Sequence, residues 1–168
     1  MIPVFMIFFF IGREWSYYAA CAVFILASVT DFLDGYIARK YNQVTDFGKF
    51  ADPLADKLLV AAAFIGFVEA SLSPGWMVIV IIARELIVTA LRTVAAASGR
   101  VIAASYFGKV KTTVQMTAII YLLIFGWRDF HIGAVSVNLV INAIALVITA
   151  ASGIDYLYKN RELLKNVK

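Results

Sequence analysis

Residues 15–38 read WSYYAACAVFILASVTDFLDGYIA. From Trp15 to Thr30 no side chain is charged, and then Asp31 and Asp34 arrive three positions apart while the apolar pattern continues around them. An apolar run of about 20 residues is what an α-helix needs to cross a bilayer. Two carboxylates at the end of such a run are costly in lipid, so they mark a working site rather than an anchor. The stretch therefore points to an α-helical membrane protein with chemistry at one end of a span.

Working outward, further apolar runs fall at about 2–12, 50–70, 75–97, 108–127 and 133–157, separated by short charged clusters. With 15–38 they predict an all-α integral membrane protein, a bundle of six transmembrane helices in one domain covering residues 1–168. Ser73-Pro74-Gly75 marks one turn, and Gly126-Trp127-Arg128-Asp129 ends the fifth segment. Hydrophobic residues make up 62% of the chain, above the 45–50% or so of soluble domains. The single cysteine, Cys21, rules out an internal disulfide and a cysteine-based metal site. His131 falls in a short polar loop, where it is expected to be solvated.

The first segment gives only about ten apolar residues, half of what a span needs. It lacks the basic start and small-residue cleavage site of a signal peptide. The expectation is a truncated first helix, with residues missing upstream of Met1; a stop codon directly before Met1 would contradict it.

Twelve of the fifteen basic residues lie in three regions: Arg39, Lys40, Lys49 and Lys57; Arg92, Arg100, Lys109 and Lys111; Lys159, Arg161, Lys165 and Lys168. Six alternating spans bring all three regions to one side, leaving Arg13 and Arg128 opposite. Positive charge stays on the cytoplasmic side, so that side and both termini are predicted to be cytoplasmic in a plasma-membrane protein. The net charge of +4 is explained by anionic lipid, and nucleic acid is excluded as a partner.

Asp31 and Asp34 close the second segment at i, i+3 spacing; Asp52 and Asp56 open the third at i, i+4. Each pair shares one helix face. A short connection makes the two helices antiparallel neighbours, so four carboxylates converge. Carboxylates this close repel one another unless a cation sits among them. An all-oxygen donor set fits Mg²⁺, Mn²⁺ or Ca²⁺ rather than zinc, and four carboxylates suffice for two ions, a layout suited to phosphoryl transfer. The plainer alternative is a set of helix ends ion-paired with Arg39, Lys40, Lys49 and Lys57. Asp46 is read as a solvated loop residue. Gly35 and Gly48 flank the acidic pairs and would admit a bulky ligand to the backbone, and Ala38 keeps that face open.

The spelling Asp31-Phe-Leu-Asp34-Gly35-Tyr-Ile-Ala38-Arg39, eight residues, then Gly48-Lys-Phe-Ala-Asp52-Pro-Leu-Ala-Asp56 resembles the CDP-alcohol phosphatidyltransferase family. All eight fixed positions match at the right spacing, a coincidence of roughly 10⁻¹⁰ by residue usage. The resemblance implies a CDP-linked lipid donor such as CDP-diacylglycerol, an alcohol acceptor, CMP as leaving group and a homodimer. It implies Asp31, Asp34, Asp52 and Asp56 as ligands of two metal ions, Mg²⁺ or Mn²⁺. It makes Asp56 the general base as well, and assigns Asp31, Gly35, Ala38, Arg39 and Gly48 to the nucleotide. Arg39 fits a phosphate contact and an interfacial ion pair equally well.

A second polar set lies downstream: Arg84, Glu85 and Arg92 in the fourth segment, Lys109, Lys111 and Thr112 opening the fifth. Arg84 stands in an apolar run and is expected to face the bundle interior, with Glu85 as its partner or touching another helix. Arg84, Arg92, Lys109 and Lys111 together make a phosphate-binding pocket for an anionic acceptor. The Ala83-Arg84-Glu85…Arg92 and Gly108-Lys109-Val110-Lys111-Thr112…Gln115 patterns resemble bacterial family members that transfer to glycerol 3-phosphate. Inositol phosphate, serine and phosphatidylglycerol remain alternative acceptors. Those members begin with a polar amphipathic stretch that this chain lacks. A divalent-cation transporter is the rival of another class; it predicts acids spread through the membrane depth, whereas these cluster at one end.

Overall fold

A computed structural model describes residues 1–41, 46–97, 106–128 and 130–161, the side chains at 38, 39, 46–56 and 97 excepted. It contains α1 (Ile2–Phe10), α2 (Glu14–Lys40), α3 (Asp46–Glu69), α4 (Gly75–Ala97), α5 (Tyr106–Phe125) and α6 (Val137–Lys159). A 3₁₀ turn, Gly126–Arg128, follows α5, and a two-residue antiparallel pair, His131–Ile132 with Val135–Ser136, precedes α6. The fold is all-α. The residues divide into two compact units: 1–72 with 119–129, and 73–118 with 130–168.

In the first unit α1 packs on both α2 and α3, and α2 packs on α3. Phenylalanines make the joint. Phe5 and Phe9 are buried; Phe5 meets Phe24 at 6.0 Å between ring centroids, and Phe9 meets Phe67 at 5.7 Å. Gly66 is what lets the Phe9 ring lie against α3, because a Cβ there would stand 3.0 Å from it. The chain turns from α1 into α2 at Gly12, whose φ of +67° is a left-handed conformation that glycine adopts without strain. Ser16 Oγ then accepts the Arg13 amide at 3.0 Å and donates to the Arg13 carbonyl, fastening the start of α2. An ion pair of 3.4 Å between Arg128 and Glu14 brings the end of α5 to the same end of this unit.

In the second unit α4 packs on α6. The buried residues of α6 are Asn138, Asn142, Ala145, Thr149, Ser152, Gly153 and Tyr156. Their spacing follows the helical repeat, so they form one stripe, and the stripe is polar or small. The opposite face carries Leu139, Val140, Ile144, Val147 and Ile154, all exposed. This is the reverse of a water-soluble helix, in which the apolar stripe is buried. In lipid the driving force between helices is close packing of small residues and hydrogen bonding, and apolar side chains face outward. Three helical segments are long and apolar enough to cross a membrane: Glu14–Ile37, Tyr106–Arg128 and Val137–Lys159. The chain is an α-helical membrane protein. Of the other helices α1 has 9 residues, while α3 and α4 have 24 and 23 and carry charged side chains within their length.

Two sequence expectations need correcting. Asp46 is the first residue of α3 and not part of a loop; an acidic residue in a helix's first turn is favoured by the exposed amide groups there. The last helix begins at Val137 rather than near residue 133, because His131–Ser136 folds into the short strand pair around Gly133, φ +64°.

Candidate active site

The acidic site is built from the facing ends of α2 and α3. Asp31 and Asp34 stand on α2 one turn apart, Asp31 half-buried and Asp34 exposed, with Gly35 half-buried beside them. Just before them Thr30 folds its hydroxyl back onto the Leu26 and Ala27 carbonyls, at 2.8 and 3.0 Å, so it makes no claim on the carboxylates. Asp34 lies six residues before the end of α2 and Asp52 six residues after the start of α3; Asp31 lies nine before and Asp56 ten after. At 1.5 Å per residue both pairs stand about 9–15 Å into their helices. The helices pack together and only five residues separate them. The side chains of Asp52, Asp56, Ala38, Arg39 and Lys49, and the surroundings of Gly48, lie outside the described residues. Among the described residues no three His, Cys, Asp or Glu side chains gather as a metal site. Pro53 has no amide hydrogen, so the Lys49 carbonyl loses its i+4 donor within α3. Carboxylates and carbonyls are the hard oxygen ligands that Mg²⁺ and Mn²⁺ prefer, so in chemical type these donors fit such ions.

The second polar set occupies the second unit. Glu85 is its hub: its Oε1 accepts Lys111 Nζ at 2.6 Å and Arg84 Nη1 at 3.1 Å. Side-chain exposures are 15% for Glu85, 12% for Arg84 and 9% for Lys111, so the three charges are held away from solvent with one positive charge in excess. Arg84 Nη2 donates to Ser152 Oγ on α6 at 2.7 Å. Arg84 reaches that serine over Gly153, where an added Cβ would come within 2.8 Å of Arg84 Cγ. One turn beyond Lys111 on α5, Gln115 donates to Thr149 on α6 at 3.0 Å, and Ser73 donates to Asn142 at 2.6 Å. Arg92 and Lys109 are exposed. Lys109 is two positions from Lys111, which puts the two lysines on different faces of α5.

Of the basic residues singled out from sequence, Arg84 and Lys111 are thus joined through Glu85, while Arg92 and Lys109 are not part of that hydrogen-bonded group. Ser152, Gly153 and Thr149 escaped the sequence reading. Their signal was present in α6 as polar or small residues recurring at helical spacing through an otherwise apolar run.

The fold defines a class: a helical membrane protein with aspartates on one helix pair and a buried cationic cluster on another. The sequence profile described as CDP-alcohol phosphatidyltransferase matches residues 1–151. The chain belongs to the CDP-alcohol phosphatidyltransferase family, and it is an enzyme of that family. It is similar to the CDP-diacylglycerol–glycerol-3-phosphate 3-phosphatidyltransferase of Bacillus subtilis (strain 168), with 45% identity covering 98% of this chain and 91% of the relative. The proteins of the same name from Shigella flexneri serotype 5b (strain 8401) and Escherichia coli (strain K12) are each 41% identical, over 94% of this chain and 86% of the relative.

Proposed function

We propose that the protein transfers the phosphatidyl group of CDP-diacylglycerol to glycerol 3-phosphate, giving phosphatidylglycerophosphate and CMP, with two divalent ions, Mg²⁺ or Mn²⁺, bound at the aspartates. The observation that carries this reading is the near end-to-end identity, 41–45%, to relatives bearing that name. Asp31, Asp34, Asp52 and Asp56 would hold the ions, which when bound supply positive charge at the diphosphate. Gly35, Ala38 and Gly48 make room for the cytidine nucleotide, and Asp31 and Arg39 contact it. The acceptor hydroxyl oxygen forms a bond to the lipid-side phosphorus, the bond from that phosphorus to the CMP oxygen breaks, and the hydroxyl proton passes to the Asp56 carboxylate. Phosphoryl transfer of this kind depends on position and charge more than on covalent help from the protein. The excess positive charge of the Arg84–Glu85–Lys111 group suits a phosphorylated alcohol better than a neutral one. Arg92 and Lys109 add cationic charge to the same acceptor set.

The remaining architecture is proposed on the same footing: six spans in one domain, a homodimer, and a cytoplasmic active site with both termini on that side. A donor that is a lipid and an acceptor that is water-soluble require a site at the interface.

The reading is tested by following radiolabelled glycerol 3-phosphate into the chloroform-soluble fraction with purified protein in detergent. Label is expected in lipid only when CDP-diacylglycerol and Mg²⁺ or Mn²⁺ are both present. Labelled lipid formed without CDP-diacylglycerol, or formed undiminished in EDTA, contradicts it.

A further inference from the structure

Arg84 Nε and the Tyr156 hydroxyl, both buried in the second unit, have no hydrogen-bond partner among the described residues. Tyr156 is only 4% exposed. It follows Ser152 by four residues, so it stands one turn further along the same face of α6, and Ser152 is the residue that receives Arg84 Nη2 at 2.7 Å. Arg92 and Arg84 both lie near enough to act electrostatically on the Tyr156 hydroxyl. On this stripe Asn142 is matched with Ser73, Thr149 with Gln115 and Ser152 with Arg84.

A buried hydroxyl without a partner is destabilising, and a phenylalanine of the same shape would remove the penalty. Arg84 Nε is a donor and the tyrosine hydroxyl can donate, while Glu85 Oε1 is already occupied by Arg84 Nη1 and Lys111. Two buried donors beside the Arg84–Lys111 charge fit a ligand that is rich in acceptors and negatively charged, and the phosphate oxyanion is such a group.

We infer that Tyr156 is an acceptor-binding residue, its hydroxyl donating with Arg84 to the phosphate group of the phosphorylated acceptor alcohol. The inference rests on the reading that the acceptor carries a phosphate and that Arg84 helps to hold it. The tyrosine thereby selects phosphorylated over neutral alcohols, because a neutral acceptor leaves the donors unmatched.

The test compares Tyr156→Phe and Arg84→Ala with the parent enzyme, measuring KM for glycerol 3-phosphate, KM for CDP-diacylglycerol and thermal stability in detergent. For Tyr156→Phe the expected result is an acceptor KM raised about tenfold or more, as for loss of one hydrogen bond to a charged group, with donor KM and melting temperature not lowered. Acceptor KM within twofold of the parent overturns the inference. So does a fall in melting temperature with both KM values rising together, which assigns the hydroxyl to packing. If Arg84→Ala raises acceptor KM while Tyr156→Phe does not, the tyrosine role alone fails. If neither variant moves acceptor KM, the phosphate is not bound here and the underlying reading fails with it.

Discussion

Turnover of Asp56→Asn is expected to fall by about 10²–10⁴-fold or more, the range associated with loss of a positioned general base, while binding of CDP-diacylglycerol stays within a few-fold of the parent. Asparagine keeps the size and one carbonyl oxygen of the side chain but cannot accept the hydroxyl proton. On the proposed reading three of the four aspartates would remain for the metal ions, so the donor is expected still to be held. Steady-state CMP release gives the first quantity, and equilibrium binding of the cytidine-nucleotide lipid gives the second. Raising Mn²⁺ separates the two duties assigned to this residue. A rate restored by excess Mn²⁺ would make Asp56 a ligand only, and a rate near the parent's at ordinary Mn²⁺ would remove it from the chemistry.

The second large effect concerns stability. Glu85→Ala is expected to lower the unfolding free energy by about 3–5 kcal/mol, the typical result of stripping one partner from a buried ion pair. Glu85 holds Lys111 at 2.6 Å and Arg84 at 3.1 Å, with side-chain exposures of 9% and 12% for the two cations. Removing it leaves both positive charges buried without their carboxylate. Ser152 still accepts from Arg84, but Lys111 loses its closest acceptor. Glu85→Gln, which keeps a carbonyl oxygen at the same place, should lose less. Thermal unfolding in detergent orders the three proteins as parent above Gln above Ala. Equal melting points would mean that Glu85 does not bind the two cations in the folded protein.

The helices were legible because apolar run length and turn residues agree. Ser73-Pro74-Gly75 and Gly126-Trp127-Arg128 both fall between helices or at a helix end in the structure. What was misread has a physical cause in each case. α3 starts at Asp46 because charged residues are at home in a helix's first turn, whereas a count of apolar residues starts the segment at 50. The strand pair at 131–136 is too short to show alternation. Burial of Arg84 could be read from the Ile and Leu residues around it, and Glu85 stands next to it in the chain. Lys111, 26 residues from its partner Glu85, and Ser152, 68 residues from its partner Arg84, could not be assigned from spacing, since no local pattern says which helix faces which. The polar stripe of α6 was a missed signal rather than a hidden one. Asn138, Asn142, Thr149, Ser152 and Tyr156 repeat at helical spacing in a run whose other residues are mostly Leu, Val, Ile and Ala.

The acidic motif carries the account on the sequence side. Over 31–56 the described backbone is two helices, α2 ending at Lys40 and α3 starting at Asp46, with residues 31 and 34 on the first and 52 and 56 on the second. The cationic cluster belongs to the structure, since only the folded α4, α5 and α6 show that Arg84 and Lys111 share one carboxylate.

The most direct measurement is CMP release by the purified protein with CDP-diacylglycerol and Mg²⁺ or Mn²⁺, offering glycerol 3-phosphate, serine, inositol phosphate and phosphatidylglycerol one at a time. The account predicts release with glycerol 3-phosphate alone and its loss on adding EDTA. Release driven by serine or phosphatidylglycerol instead, or release that survives EDTA, would contradict it.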